Sequence, residues 1–371
     1  MKPITLLIKP ASGHCNLRCS YCFYADECAR REDGLRGRMT HETLEAVVKR
    51  ALESASECSF AFQGGEPTLA GLDFFRDYAD LVKRYNTRGV KVSSAIQTNG
   101  TLIDEEWARF LKEEGFLVGL SLDGAKETHD LYRRGPDGEG TFAQVMRAAE
   151  LFDRYKVEYN ILTVVTKTLV QKLDKTYRFY RGRHLLYQQY IPCIDPMEAQ
   201  GQTEYTLTAP EYGKFLCRLF DLWYADVKAE RFIYIRYFEN LVGMLCGVPP
   251  EACGMLGRCQ PYYLLESDGS VYPCDFYALD QLRLGNFVTD SIEALDQKRA
   301  ELRFLEDSPT READCAACKW GPLCRGGCRR DRDPMGDGVL QKNRYCAGYQ
   351  RFFAYAYSRL EELARRALER R

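Results

Sequence analysis

Cysteine is the residue type whose number and spacing most clearly indicate chemistry in this chain. There are 16 cysteines among 371 residues, and Cys15, Cys19 and Cys22 lie close together near the start. Three such thiolates can hold one metal centre, but the motif contains no fourth ligand. A structural zinc ion needs four protein ligands, whereas a 4Fe-4S cluster held by three cysteines keeps one iron open. The motif therefore indicates a reactive cluster, with a zinc knuckle completed by His14 as the alternative.

A second group of cysteines lies in the last third of the chain. Eight thiols divide naturally into two sites of four, and on spacing alone zinc and iron–sulfur sites fit equally well. The eight residues are Cys253, Cys259, Cys274, Cys315, Cys318, Cys324, Cys328 and Cys346. Five further cysteines match no ligand pattern, and we expect them to be buried or free thiols. These are Cys28, Cys58, Cys193, Cys217 and Cys246.

The elements that must position these residues repeat a strand–turn–helix pattern over the first two hundred residues. Short apolar runs predict six strands, at 5–9, 59–63, 90–97, 116–121, 159–166 and 184–191. Amphipathic helices are predicted between them, at 40–56, 71–85, from about 104, and at 141–155. Such alternation indicates a parallel sheet covered by helices. Without a nucleotide-binding glycine fingerprint, we predict an α/β fold: a partial TIM-like (β/α)6 barrel with its active site where the strands end.

The pattern changes near residue 210, and it predicts four parts of the chain. They are the barrel over 1–209, a helical linker region over 210–250, a Cys-rich, loop-dominated cluster domain over 251–348, and a C-terminal helix over 349–371. That helix is rich in Arg and Glu, so we expect it to be a solvated surface helix.

Charge and hydropathy exclude several classes of protein. The chain has 52 basic and 53 acidic residues, a formal net charge of −1, so no general nucleic-acid-binding surface is expected. No apolar run reaches the roughly 20 residues that cross a bilayer. The short N-terminal run is ended by Lys9 and Pro10, which is unlike a secretory signal. We expect a cytoplasmic protein with no nucleic-acid or membrane partner.

Two motifs together resemble the radical S-adenosylmethionine (SAM) superfamily. They are Cys15-x3-Cys19-x2-Cys22 after the first strand and Gly64-Gly65-Glu66-Pro67 after the second. The resemblance implies that the open iron binds SAM, which is then cleaved to a 5′-deoxyadenosyl radical. It also implies six SAM-binding residues: Gly65 and Glu66 near the amino group, Ser121 and Arg133 at the carboxylate, and Tyr21 and Ile194 at the adenine.

The C-terminal cysteines resemble the SPASM extension of peptide-modifying radical SAM enzymes. The resemblance implies two auxiliary 4Fe-4S clusters, and therefore three clusters in the whole chain. It assigns Cys253, Cys259, Cys274 and Cys328 to the first, and Cys315, Cys318, Cys324 and Cys346 to the second. Spacing alone would instead place Cys328 with Cys324.

Longer stretches are similar to the anaerobic sulfatase-maturating enzymes. They are Leu7–Ser12, Phe60–Thr68, Gln97–Ile103 and Glu266–Phe276. That family oxidises a Cys or Ser of a sulfatase polypeptide to Cα-formylglycine. The resemblance implies an unfolded substrate segment with a C/S-x-P/A-x-R motif and an electron donor such as flavodoxin or ferredoxin.

The same resemblance assigns roles to residues around the substrate. Asp275 matches the proton acceptor, and a carboxylate suits a positioned base. A turn residue or a hydrogen-bonding neighbour of the cluster is the alternative for Asp275. Tyr24 and Gln63 are expected to line the substrate cleft, while Glu66 and Asp123 are expected to organise the site.

Two other functions fit the same cysteines. One is a SPASM enzyme that forms thioether or carbon–carbon crosslinks in a ribosomal peptide. The other is not an enzyme: a ferredoxin-like electron carrier or a zinc scaffold.

Overall fold

The computed structural model describes residues 1–197, 203–333 and 336–369. The chain divides into two compact units. The first comprises Met1–Leu122, His129–Asn160 and Pro261–Phe304, and the second comprises Asp123–Thr128, Ile161–Gln260 and Leu305–Arg371. Among the described residues, no helix combines the length and the apolar character needed to cross a membrane.

The strands and helices alternate over the first half of the chain. The strands are β1 (Lys2–Ile8), β2 (Ala55–Phe62), β3 (Lys91–Thr98), β4 (Leu117–Ser121), β5 (Glu158–Val165), β6 (Tyr187–Pro192), β7 (Tyr234–Ile235), β8 (Tyr263–Leu265), β9 (Ser270–Tyr272) and β10 (Gly285–Asn286). The helices are α1 (Phe23–Ala29), α2 (His41–Ser54), α3 (Leu72–Tyr85), α4 (Glu105–Glu113), α5 (Lys126–Tyr132), α6 (Phe142–Tyr155), α7 (Lys167–Gln171), α8 (Leu173–Gly182), α9 (Ala209–Lys228), α10 (Arg236–Leu245), α11 (Ile292–Glu301), α12 (Ala313–Ala316), α13 (Gly321–Cys324) and α14 (Cys346–Glu369).

Several helices begin where a side chain satisfies the free backbone N–H groups of the first turn. The Thr40 hydroxyl accepts from Thr43 N at the start of α2, and the Asp104 carboxylate accepts from Trp107 N at the start of α4. A full capping box formed by Thr208 and Glu211 begins α9. Each cap of this kind stabilises its helix by about 1 kcal/mol. The caps therefore favour helices that begin at these residues.

The first unit is built on a mixed sheet. Its strands are ordered β10-β9-β8-β1-β2-β3-β4. The β1–β2, β2–β3, β3–β4 and β1–β8 pairs are parallel, while β9 pairs antiparallel with both β8 and β10. In this register Ile8 pairs with both Phe62 and Leu265. The next residues along these three strands, Lys9, Gln63 and Glu266, therefore lie at one edge of the sheet.

The second unit contains β6, β7 and most of β5, which pair in parallel. Its core is aromatic: Phe220, Trp223, Phe238 and Phe352 form one buried cluster with aliphatic side chains. These residues come from α9, α10 and α14. Edge-to-face pairs such as Phe220–Phe238, with centroids 5.3 Å apart, stabilise the core by more than the burial of their apolar surface alone.

The predicted α/β class with a parallel sheet is confirmed, and so are all six predicted strands to within a few residues. The expectation that loops dominate 251–348 missed β8–β10, which extend the sheet beside β1. These strands have two or three residues each, too few to give a periodic signal. The predicted division into four parts remains a prediction.

The expectation of a solvated C-terminal helix is wrong for one face of α14. Phe352, Phe353, Ala356 and Leu360 are buried, because apolar residues recur at the three- and four-residue spacing of a helix and only the remaining faces carry Arg and Glu. The helix also begins earlier than predicted, at Cys346. Its last two predicted residues, 370 and 371, lie outside the described residues.

Candidate active site and cluster sites

The first cysteine motif forms the loop between β1 and α1. Two donors face the sulfur of Cys15: Leu17 N lies 3.3 Å away and Asn99 Nδ2 lies 3.9 Å away. Burial raises the pKa of the Cys15 thiol to about 11, and Glu66 and Cys22 add to the rise. A buried thiolate is therefore favoured only when a cation offsets its charge. Half-buried sulfurs with directed N–H donors are the donor set expected for an iron–sulfur cluster.

The Gly64–Pro67 loop packs directly against this cysteine loop. Glu66 N donates to His14 O at 2.8 Å. Gly65 has φ +51°, and a Cβ there would lie 2.2 Å from His14 O. Gly64 has φ +84°, and a Cβ there would lie 2.4 Å from Lys9 Cγ. Both positions therefore require glycine, since only glycine combines the left-handed conformation with so close a backbone approach.

Glu66 is buried and its carboxylate is fully occupied by local hydrogen bonds. It accepts from Thr68 N and Oγ1, from Thr98 Oγ1 at 2.7 Å and from Asn99 N at 2.7 Å. Burial raises the pKa of Glu66. Its partners lie after β2 and at the end of β3, so the carboxylate joins two strand ends; its role as an organiser of the site stays a prediction. Asp123 acts similarly within the second unit, where it accepts from Val164 N at 2.9 Å.

The structure brings two of the residues implied for SAM, Tyr21 and Arg133, into contact. The Arg133 guanidinium lies 5.5 Å from the Tyr21 ring centroid. The Ser121 hydroxyl accepts from Gln97 Nε2 at 3.1 Å. Tyr21, Gly65, Glu66, Ser121 and Arg133 all belong to the first unit. Ile194 belongs to the second unit, in the loop after β6.

Asp275 is buried, with 6% of its surface exposed. Its Oδ2 accepts from Tyr24 Oη at 2.7 Å and from Gln63 Nε2 at 2.6 Å, and Gln63 Nε2 also contacts Tyr24 Oη at 2.8 Å. Its backbone N donates to Tyr262 Oη at 2.8 Å. Burial raises the pKa of Asp275, and Lys9, Tyr24 and Gln63 oppose the rise. The two residues expected to line the substrate cleft are thus direct partners of the predicted base.

Behind Asp275 lies a buried charge network that the sequence reasoning missed. The Lys9 Nζ atom lies 3.0 Å from Glu27 Oε2, 3.5 Å from Glu266 Oε1 and 3.8 Å from Asp275 Oδ1. Arg31 pairs with Glu266 at 2.5 Å. Lys9 and Glu266 each lie in a stretch that is similar to the sulfatase-maturating enzymes, which is a sequence signal for them. No motif assigns chemistry to either residue.

The second set of auxiliary cysteines forms one site. Cys315, Cys318, Cys324 and Cys346 line a single cavity together with Trp320 and Tyr349. The short helices α12 and α13 supply Cys315 and Cys324, and Cys346 begins α14. Burial raises the pKa of Cys324, and the other three cysteines add to the rise. Four thiols around one cavity fit a 4Fe-4S cluster.

Three of the four cysteines of the other set also lie together. Burial raises the pKa of Cys328, and Cys259 and Cys253 contribute to the rise. Gly254, next to Cys253, approaches Cys328 so closely that a Cβ on it would lie 3.5 Å from Cys328 Cβ. Cys328 thus groups with the earlier cysteines, as the SPASM resemblance implies. Cys274 belongs to the first unit, where Tyr262 hydrogen-bonds to its sulfur.

The assignment of the five remaining cysteines as buried or free thiols stays a prediction. Among the described residues no cysteine forms a disulfide; Cys58 and Cys193 are buried, and Cys28, Cys217 and Cys246 are half-buried. Cys28 Sγ accepts from Arg31 Nη2 at 3.3 Å. Among the described residues, no three His, Cys, Asp or Glu side chains are placed to hold a single metal ion.

Comparison with known proteins extends over the whole chain. Residues 10–180 match the radical SAM superfamily, and residues 257–319 match the SPASM iron–sulfur cluster-binding domain. A cysteine-type anaerobic sulfatase-maturating enzyme of Clostridium novyi is 46% identical over 98% of each chain. A serine-type enzyme of Klebsiella pneumoniae is 30% identical over 98% of this chain and 90% of its own. The structure titled native anSMEcpe with bound AdoMet and Cp18Cys peptide is similar with TM-score 0.94 and 46% identity, over 98% of this chain and 99% of the other.

Proposed function

Because the chain belongs to the anaerobic sulfatase-maturating enzymes of the radical SAM superfamily, we propose that it oxidises a cysteine side chain of a sulfatase polypeptide to Cα-formylglycine. It is a radical SAM enzyme that uses SAM and 4Fe-4S clusters. When bound, these groups supply a radical that removes a hydrogen atom from the substrate Cβ, and an acceptor for one electron. Serine is the second candidate substrate. Identity of 46% to a cysteine-type relative against 30% to a serine-type one supports cysteine.

The reaction assigns a defined task to the protein's own groups. Oxidation of the CH2–SH group to C=S removes one hydrogen atom, one proton and one electron. Water then replaces the sulfur, which leaves as hydrogen sulfide, and an aldehyde remains. A base beside the substrate must take the thiol proton, and we assign that role to Asp275.

The observation that carries this assignment is the placement of Asp275. Its carboxylate is buried, follows Cys274 directly in the chain, and is held by Tyr24 and Gln63. A base in this position takes the proton next to a predicted cluster ligand. Hydrogen bonds from two fixed donors hold the carboxylate in one orientation, as acid–base catalysis requires.

The site residues keep the roles implied by the family. Cys15, Cys19 and Cys22 would hold the SAM-binding cluster, Cys253, Cys259, Cys274 and Cys328 the first auxiliary cluster, and Cys315, Cys318, Cys324 and Cys346 the second. Tyr21, Gly65, Glu66, Ser121, Arg133 and Ile194 would bind SAM. Arg133 suits a carboxylate because its guanidinium offers paired donors.

The partners follow from the same chemistry. We propose that the substrate is an unfolded sulfatase segment with a C/S-x-P/A-x-R motif, since the reacting side chain must reach Asp275. A flavodoxin or ferredoxin would supply the electron that starts each turnover. We place the enzyme in the cytoplasm, where a reducing environment keeps its free thiols available for clusters.

Mass spectrometry after anaerobic turnover tests the proposed function. With reduced enzyme, SAM and a peptide containing Cys-x-Pro-x-Arg, we expect the peptide to lose about 18 Da as CH2SH becomes CHO. A loss of about 2 Da from this peptide would instead indicate a crosslinking enzyme using the same cofactor. Absence of deoxyadenosine would indicate an electron carrier or scaffold. A matched serine peptide measures the Cys-over-Ser preference.

Asp275→Asn tests the base. The amide keeps the size and polar contacts but cannot take the proton. We expect deoxyadenosine still to form, while formylglycine falls by about 10²–10⁴-fold. Iron content should match that of the parent. Asp280→Asn is a control, since its carboxylate is exposed and accepts from Glu32 N. Near-normal formylglycine from Asp275→Asn would remove Asp275 from the reaction.

A further inference from the structure

Lys9 occupies an unusual position for a lysine. It follows β1 directly and its side chain is 1% exposed. Its stem packs beneath the Gly64–Pro67 loop, where a Cβ on Gly64 would lie 2.4 Å from Lys9 Cγ. Its ammonium lies 4.7 Å from the Tyr24 ring centroid. Lysine is almost never fully buried without a partner, so this position calls for a reason.

Three carboxylates surround the Lys9 ammonium. They belong to Glu27, Glu266 and Asp275, at 3.0, 3.5 and 3.8 Å. Although burial alone would lower the pKa of Lys9, these carboxylates raise it above its usual value, so Lys9 is a cation at physiological pH. Glu27 also accepts from Ala278 N at 2.7 Å, and Glu266 pairs with Arg31.

The contact of Lys9 with Asp275 differs from its other two. Glu27 and Glu266 each have a further strong partner, whereas Asp275 Oδ1 is buried and accepts no hydrogen bond within the described residues. Tyr24 and Gln63 both bind the other oxygen, Oδ2. The Lys9 charge therefore acts on Oδ1, the oxygen of the base that no hydrogen-bond donor holds.

We propose that Lys9 is the positioning residue of the base: it fixes the rotation of the Asp275 carboxylate, so that Tyr24, Gln63 and the substrate meet it in one orientation. The proposal rests on the proposed role of Asp275. Lys9 touches neither the substrate nor the reacting atoms in this assignment. It works through Asp275 and Tyr24, because it contacts both.

This role gives a reason for the Leu7–Ser12 stretch, to which the proposed function assigns no residue. The Leu7–Ser12 stretch resembles the sulfatase-maturating enzymes, yet it contains no cluster ligand and no SAM-binding residue. The β1–β2–β8 register places its Lys9 beside Gln63 and Glu266. A carboxylate whose oxygens are both held is pre-organised, and misplacement of a reacting group by about 1 Å can lower a rate about 10²-fold.

A double-mutant cycle tests the proposal. The variants are Lys9→Met, Asp275→Asn and the two together, and both deoxyadenosine and formylglycine are measured at saturating peptide. For Lys9→Met we expect deoxyadenosine near the parent level, formylglycine lower by about 10²-fold, and unchanged iron. In the Asp275→Asn background, Lys9→Met should lower formylglycine by less than about a further twofold, because both changes remove the same function. Lys83→Met is the matched control, an exposed lysine paired with Glu114.

Each result decides between alternatives. Near-normal formylglycine from Lys9→Met overturns the proposal, and so does a loss that multiplies with that of Asp275→Asn. An equal fall in deoxyadenosine overturns it too, because that would place Lys9 in SAM cleavage or in folding. If Lys9→Met loses its iron, Lys9→Arg replaces it as the test variant, because it keeps the positive charge but shifts its position. We then expect more deoxyadenosine per formylglycine formed than in the parent. If Asp275→Asn itself forms near-normal amounts of formylglycine, the proposed role of Asp275 as the base is overturned, whatever Lys9→Met shows.

Discussion

At the scale of single residues, buried polar and charged groups support the residues predicted to do chemistry. Cys15, Cys19 and Cys22 lie in the loop after β1 and are half-buried, whereas Glu66 and Lys9, which contact the adjoining loops, are buried. Glu66 shows the pattern: besides its predicted place at SAM, its carboxylate receives four hydrogen bonds from Thr68, Thr98 and Asn99, which lie after β2 and at the end of β3. Removing one partner from such a network leaves an unsatisfied buried group, which costs about 1–3 kcal/mol.

Arg133 carries the prediction for cofactor binding at this scale. Arg133→Ala should weaken SAM binding about ten- to hundredfold, because a hydrogen bond to a charged group contributes about 1.5–3 kcal/mol. Equilibrium binding of SAM to the iron-loaded enzyme measures this. The neighbouring Arg134 is exposed, so Arg134→Ala is the control. Equal SAM affinity in Arg133→Ala and the parent would remove Arg133 from the site.

At the scale of elements, α14 links stability to cluster binding. The helix begins at Cys346, a predicted ligand, and its Phe352, Leu360 and neighbours pack on α9 and α10. The Phe352 ring lies 5.8 Å from Phe238 and 5.9 Å from Phe220. The packed helix therefore fixes the position of the ligand at its first residue.

Phe352→Ala should destabilise the second unit by about 3–5 kcal/mol, as large-to-small changes in a core do. Denaturant unfolding followed by tryptophan fluorescence measures this, since Trp223 lies in the same core and Trp320 packs against it. Arg365 on the exposed face of α14 provides the control, and Arg365→Ala should change stability by less than about 0.5 kcal/mol. A small effect of Phe352→Ala would show that α14 contributes little to this core.

At the scale of the whole molecule, the cysteines fall into groups that can be separated experimentally. Replacing Cys15, Cys19 and Cys22 together with Ala should abolish deoxyadenosine formation. It should leave about eight of about twelve irons, since one cluster of three is lost. Iron analysis and electron paramagnetic resonance of the reduced protein check this. Retained deoxyadenosine formation would refute the assignment of the SAM-binding cluster.

Much of this architecture could be predicted from the sequence, because long elements carry a periodic signal. The six strands and the helices α2, α3 and α6 were all predicted near their observed bounds. The shorter α1, α5 and β8–β10 were not, because two to seven residues do not reveal a period.

For the site, the cysteine motifs and Asp275 could be found from spacing and resemblance. The environment of Asp275 could not. Glu266 lies 235 positions from Arg31 in the sequence, and the pairing of β8 with β1 is what places it beside Lys9. Charged residues in such stretches look solvent-exposed until the sheet register is known.

The pairing of β8 with β1 also affects how the chain folds during synthesis. Leu7 pairs with Leu264, so the contact spans about 250 positions, and contacts of such long range form slowly. A ribosome adds about 5–20 residues per second, so one edge of β1 waits tens of seconds for its partner. The nascent chain can form β1 to β4 during this time, but it exposes an open strand edge beside the first cysteine loop. An unpaired strand edge can pair with other chains, so expression conditions that slow aggregation should raise the yield of folded enzyme.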